Sequence, residues 1–169
     1  MIDNVKKRIY RPFDEKQELM FNKQFRSLNA LGCDYFYHLI SDTKSQNDSY
    51  RFCTHENWID FYYEEQFINH DPLKRIAENS NISVLPWNQA SVMNKSEKRT
   101  MSGRSSFGLH NGLSIVQKYN DNKYIFVLST ERRDHDLARF LLLEKNYELK
   151  KLMYSCIALT FAPLPIFQH

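Results

Sequence analysis

Residues 113–130 read LSIVQKYNDNKYIFVLST, and this stretch decides the fold. Residues 113–118 and 124–130 are rich in β-branched and aromatic residues. Asn120, Asp121 and Asn122 between them form a turn signal, so the spacing predicts a β-hairpin. Residues 124–128 are continuously apolar, as in a strand covered on both faces. The covering elements must come from the flanking sequence. Downstream, residues 137–160 predict one long helix with Leu142, Leu149, Leu152, Cys156 and Leu159 on a stripe, ended by Pro163 and Pro165. Upstream, Phe21, Phe25, Leu28 and Leu31 recur at helical spacing from Phe13 to a natural stop at Gly32.

Between these lie strands expected at 34–41 and 50–54, separated by a polar turn at 45–49. Helices are expected at 55–67, at 72–78 with Pro72 as first residue, and at 90–105. A short strand is expected at 82–85, closed by Pro86 and Trp87. Hairpin-linked strands with helices before and after them predict an α+β fold, a three-layer α-β-α sandwich with a central antiparallel sheet. One domain is expected over 13–162, with an N-terminal arm at 1–12 and a C-terminal tail at 163–169.

Composition narrows the function. The 169 residues suffice for one domain with a sizeable core, and 42% hydrophobic with 25% charged residues fits a soluble globular protein. Aromatic residues reach 14%, and such residues fill cores or line pockets. With 4 glycines and neither GxGxxG nor GxxxxGK[ST], no phosphate-cradling loop is present and no cofactor is expected. A net charge of +3 is too weak to mark a nucleic-acid face, and the basic stretch 95–99 is broken by Ser96 and Glu97, as on a solvated helix. Cys33, Cys53 and Cys156 lack CxxC spacing and are read as three buried thiols in a reducing compartment. No apolar run is long enough for a signal peptide or membrane span, so a cytoplasmic location is expected, without membrane contact.

Catalytic and metal constellations are missing from the sequence. His38, His55, His70, His110, His135 and His169 form neither HxxxH nor HExxH. Ser102 and Ser106 lie near His110 without a GxSxG elbow, so an enzyme is not expected. The informative pattern is W-x3-Y-Y-x7-D-P at Trp58, Tyr62, Tyr63, Asp71 and Pro72. Trp87 follows sixteen residues after the aspartate. F-G-L-x2-G-L-S then runs through Phe107, Gly108, Leu109, Gly112, Leu113 and Ser114. Taken singly, Trp58 and Tyr62 are ordinary core residues at helical spacing, Asp71 an ordinary helix start, and the glycines ordinary turns.

Taken together, in this order, they resemble the autoinducer-binding domain of LuxR-type quorum-sensing transcriptional regulators, over roughly residues 15–162. The resemblance implies an α-β-α sandwich enclosing an N-acyl-homoserine lactone. It implies that Trp58 donates its indole N–H to the lactone carbonyl and that Asp71 accepts the ligand amide N–H. Tyr62 would pack on the acyl chain, Trp87 would wall the head-group end, and Ser129 would lie near the acyl carbonyl. Tyr63 belongs to the same aromatic set. Thr54 stands where many members carry a tyrosine, and Val116 where a proline is usual. The candidate ligand-binding residues are thus Trp58, Tyr62, Asp71, Trp87, Thr54, Tyr63 and Ser129.

The chemistry agrees with these roles. An indole N–H is donor only and a carboxylate is acceptor only, which complements an amide-lactone head group. The chain ends at His169, near where the family's linker to a helix-turn-helix would begin, so direct DNA binding is not expected of it. The expected partners are a lactone or related small molecule, and a second copy or a LuxR-type regulator as homodimer or heterodimer. The alternative is a ligand-independent interaction module that pairs with and inhibits a full-length LuxR-type regulator.

Overall fold

A computed structural model of the chain describes residues 11–42, 49–79 and 83–161, Phe161 by its backbone alone. Six strands occur among them: β1 (Arg11–Pro12), β2 (Tyr35–Asp42), β3 (Ser49–Cys53), β4 (Val84–Pro86), β5 (Asn111–Tyr119) and β6 (Asn122–Thr130). They form one sheet in the order β1-β3-β2-β6-β5-β4. The hairpin is β5–β6, closed at Tyr119 opposite Asn122 with Asn120 in the left-handed region at φ 54°, which asparagine tolerates. All neighbouring pairs are antiparallel except β1–β3, where Arg11 and Pro12 run parallel to Tyr50 and Arg51. The sheet is therefore mixed rather than wholly antiparallel. Pro12, lacking an N–H, belongs on such an edge.

Alternation along the strands builds two cores. Phe36 and Ile40 of β2, Ile115 of β5, and Tyr124, Phe126 and Leu128 of β6 face one side. There they meet α1 (Glu15–Asn29) and the C-terminal helix Asn146–Phe161. Tyr35, Tyr37, Cys53 and Val127 face the other side, where α2 (Glu56–Glu64), α3 (Pro72–Asn79) and α4 (Lys95–Ser106) cover them. This is the three-layer sandwich, and β6 has cover on both faces. Helix α1 starts in a capping box, with Gln17 N–H on Asp14 Oδ1 at 2.8 Å and Asp14 N–H on Gln17 Oε1 at 3.1 Å.

Several boundaries differ from expectation. The 137–160 segment is not one helix. An α turn at Leu137–Arg139 runs into a π turn at Phe140–Glu144, and Lys145 leaves helical geometry before α5 (Asn146–Phe161) begins. On an unbroken helix Lys145 would fall between buried Leu141 and Leu149 and face the core; the extra residue of the π turn removes it. Helix α2 stops at Glu64, because Gln66 turns left-handed at φ 57°. Helix α4 waits for its cap, Asn94 Oδ1 accepting Glu97 N–H at 2.9 Å. Cys33 and Cys156 are buried, whereas Cys53 is only half-buried, and all three are free thiols. Residues 1–10 of the arm, most of the 45–49 turn, and the prolines at 163 and 165 lie outside the described residues. Among those described, no helix is long and apolar enough to cross a membrane, and no cluster of His, Cys, Asp and Glu could hold a metal ion.

Candidate ligand site

The second core centres on one carboxylate. Asp71 precedes Pro72, and its Oδ1 caps the start of α3 by accepting Leu73 N–H at 3.0 Å. Tyr62, one turn after Trp58 on α2, donates its hydroxyl to Asp71 Oδ2 at 2.8 Å. The rings of Trp58 and Tyr62 meet edge to face at 5.6 Å, as their i, i+4 spacing requires. Trp87 follows edge strand β4 and lies flat against β5. A Cβ on Gly112 would sit 2.7 Å from the indole ring and 2.6 Å from the Leu128 carbonyl oxygen, so only glycine admits this approach. The indole N–H of Trp87 donates to Ser114 Oγ at 3.0 Å.

A residue that the sequence did not single out completes the cluster. Arg104, from α4, forks onto Asp71, with one terminal nitrogen 2.9 Å from Oδ1 and the other 2.5 Å from Oδ2. Its Cζ lies 5.6 Å from the Trp58 ring centroid, 5.7 Å from Tyr62 and 5.6 Å from Trp87. The guanidinium thus lies among three aromatic rings, two from α2 and one from the turn after β4. Burial alone would raise the Asp71 carboxyl. The Arg104 charge and the hydrogen bonds from Arg104, Tyr62 and Leu73 outweigh it and hold the carboxyl below its ordinary value of 3.8. Asp71 is an ionised carboxylate in an apolar shell, fully satisfied by the protein.

The remaining candidates stand apart from this centre. Thr54 Oγ1 accepts Phe36 N–H at 3.0 Å and lies 2.9 Å from His55 Nδ1 at the end of β3. Tyr63 stands edge-on to Tyr62, with ring centroids 5.5 Å apart. Ser129 is fully buried opposite Tyr35 and Gly112, on the site's face of the sheet, but its hydroxyl donates to the Asn111 carbonyl at 2.7 Å. The structure therefore gathers Trp58, Tyr62, Asp71 and Trp87 around Arg104. Thr54, Tyr63 and Ser129 make contacts of their own beside them. The sequence does carry a signal for Arg104. Glu97, Thr100 and Arg104 share one helical face by spacing, and all three are buried. A search for apolar stripes passes over a stripe made of polar residues.

Comparison with known proteins places this architecture. Residues 20–153 match the family model of the autoinducer binding domain, so the chain belongs to that family, one of signal receptors rather than enzymes. No curated protein sequence matches it. Among solved structures it is similar to Escherichia coli SdiA, at 17% identity and a TM-score of 0.64, covering 88% of this chain and 64% of SdiA. SdiA in complex with octanoyl-rac-glycerol gives 16% identity and a TM-score of 0.63, over 86% of this chain and 60% of that one. CepR2 of Burkholderia cenocepacia, an N-acylhomoserine lactone dependent LuxR family transcription factor, gives 14% and 0.56, over 85% of this chain and 95% of CepR2. The chain thus spans under two thirds of the length of these SdiA structures. At such identities the likeness is one of fold.

Proposed function

We propose that this domain is a cytoplasmic receptor for an N-acyl-homoserine lactone or a similar acyl signal, acting in the quorum-sensing regulation of transcription. The observation that carries this reading is the buried, ionised Asp71 carboxylate, held by the Tyr62 hydroxyl and by Arg104, whose guanidinium lies among Trp58, Tyr62 and Trp87. A buried carboxylate must keep its hydrogen bonds, and a ligand amide N–H is a donor that can take over one from Arg104. Acyl carbons placed among the aromatic rings add roughly 0.8 kcal/mol each on burial. Trp58 would serve the lactone carbonyl, Tyr62 and Tyr63 the acyl chain, and Trp87 the head-group wall. Thr54 and Ser129 would border the acyl carbonyl. SdiA holding octanoyl-rac-glycerol and CepR2 depending on an N-acylhomoserine lactone support an acyl signal as the ligand class. Action as a homodimer, or as a heterodimer with a LuxR-type regulator, belongs to the same proposal.

A second reading is favoured by Arg104. Because Asp71 already has its full set of donors, the chain could be a ligand-independent module that pairs with and inhibits a full-length LuxR-type regulator. Thermal melts against lactones of increasing acyl length separate the two. A ligand that binds only the folded state stabilises it by about 2.7 kcal/mol at a hundredfold excess over Kd. In a domain of this size that is about 5–10 °C. The receptor reading expects a rise that peaks at one acyl length. A flat response, with a regulator bound in the absence of any lactone, establishes the second reading instead.

A further inference from the structure

We propose that Arg104 is a built-in occupant of the head-group end of this site, standing where a signal's polar head would stand and excluding ligands that cannot displace it. The inference rests on the receptor reading for the identity of the site, and on the geometry of Arg104 for its occupant. Three features carry it.

The first is position. Arg104 takes both oxygens of Asp71 and is ringed by Trp58, Tyr62 and Trp87, so the guanidinium is held as a bound molecule would be. A structural ion pair needs only its partner. The second is chemistry. A guanidinium is a planar, donor-only group, and toward a carboxylate it plays the part of an amide N–H with a charge added. Any ligand that takes its place must also bring a donor to Asp71, and a ligand with an anionic head would leave two negative charges together.

The third is the element that carries the residue. The buried side chains of α4, Glu97, Thr100 and Arg104, are all polar. Glu97 accepts Arg75 Nε–H at 2.5 Å, Thr100 donates to the His70 carbonyl at 2.8 Å, and Arg104 holds Asp71. The inward face of α4 is therefore held largely by polar contacts, and the Arg104–Asp71 pair among them is one that a ligand bringing its own donor to Asp71 can replace. Two consequences follow: the domain folds with its site filled in the absence of signal, and apparent affinity is reduced by the fraction of molecules in which Arg104 is withdrawn.

The test uses the full chain and Arg104→Ala. Removing the side chain leaves a guanidinium-shaped space beside a buried carboxylate. Methylguanidinium should raise the melting temperature of the variant by several degrees, while methylammonium at equal ionic strength should not. N-octanoyl-homoserine lactone should bind Arg104→Ala at least about tenfold more tightly than the wild type, and methylguanidinium should compete with it. Should Arg104→Ala not fold, Arg104→Gln leaves Asp71 a donor, removes the guanidinium and carries the same lactone comparison. Equal lactone affinity for wild type and variant, with no preference for methylguanidinium, would overturn the inference while leaving the receptor reading in place. Specific rescue by methylguanidinium, with no lactone bound by either chain, would uphold Arg104 as the occupant and end the receptor reading.

Discussion

At the scale of single residues, the two ionisable groups at the centres of the two cores behave differently. Asp71 is kept charged by its donors. Its folded value lies below 3.8, so its contribution is complete at neutral pH and is lost only as acid carries the solution down through that lower value. His38 is kept neutral. It is fully buried among Phe13, Phe21 and Phe126, with Nδ1–H donating to the Ile125 carbonyl at 3.0 Å. Burial pushes it down from 6.5 to about 4, only partly opposed by that hydrogen bond. Between these values the unfolded chain binds a proton that the folded chain refuses, so stability falls as pH falls. At about 1.4 kcal/mol per pH unit the full window costs the fold roughly 3 kcal/mol. Urea titrations between pH 7 and pH 4 should show this loss, and His38→Phe should flatten it. An unaltered slope in the variant would assign the acid sensitivity to other groups. Trp58, Tyr62, Asp71 and Trp87 were singled out in the sequence because, in this order, they resemble the motif of the autoinducer-binding family. Arg104 was missed: the polar stripe Glu97, Thr100 and Arg104 signals a buried face, but its partner Asp71 lies on another element.

At the scale of elements, what periodicity conveys is burial of apolar side chains, and it fails where burial is polar or interrupted. The hairpin was readable from β-branched runs about an asparagine turn, and α1 from Phe21 and Leu28. The inward face of α4 was not, because Glu97, Thr100 and Arg104 occupy it. Nor was the break before α5, where keeping Lys145 out of the core outweighs helix continuity. The close approach of β5 to Trp87 makes a sharper claim. Gly112→Ala would set a methyl group 2.7 Å from the indole ring and 2.6 Å from a backbone oxygen, so the indole or the strand must move. The expected cost is about 1–3 kcal/mol, as for other overpacked cores, with loss of the Trp87–Ser114 hydrogen bond. Denaturation of the variant at wild-type urea concentration would show that Trp87 has room to spare.

At the scale of the whole molecule, the sandwich followed from one strand that needed cover on both faces, and the site from motif residues that the sandwich draws into its second core. The parallel β1 edge escaped notice because two residues are too few to leave a pattern. The central claim is that the aromatic cluster around Asp71 and Arg104 is where this autoinducer-binding domain takes its signal. The chain has 2 tryptophans, and both Trp58 and Trp87 flank the Arg104 guanidinium, so intrinsic tryptophan emission reports on this site and on no other part of the molecule. The decisive measurement is a fluorescence titration of the full chain with an N-acyl-homoserine lactone series. The predicted result is a saturable change in tryptophan emission at the concentrations that raise the melting temperature, as Arg104 gives way to the ligand. A lactone that raises the melting temperature while leaving the emission of both tryptophans unchanged would contradict the claim, because the signal would then be held somewhere else.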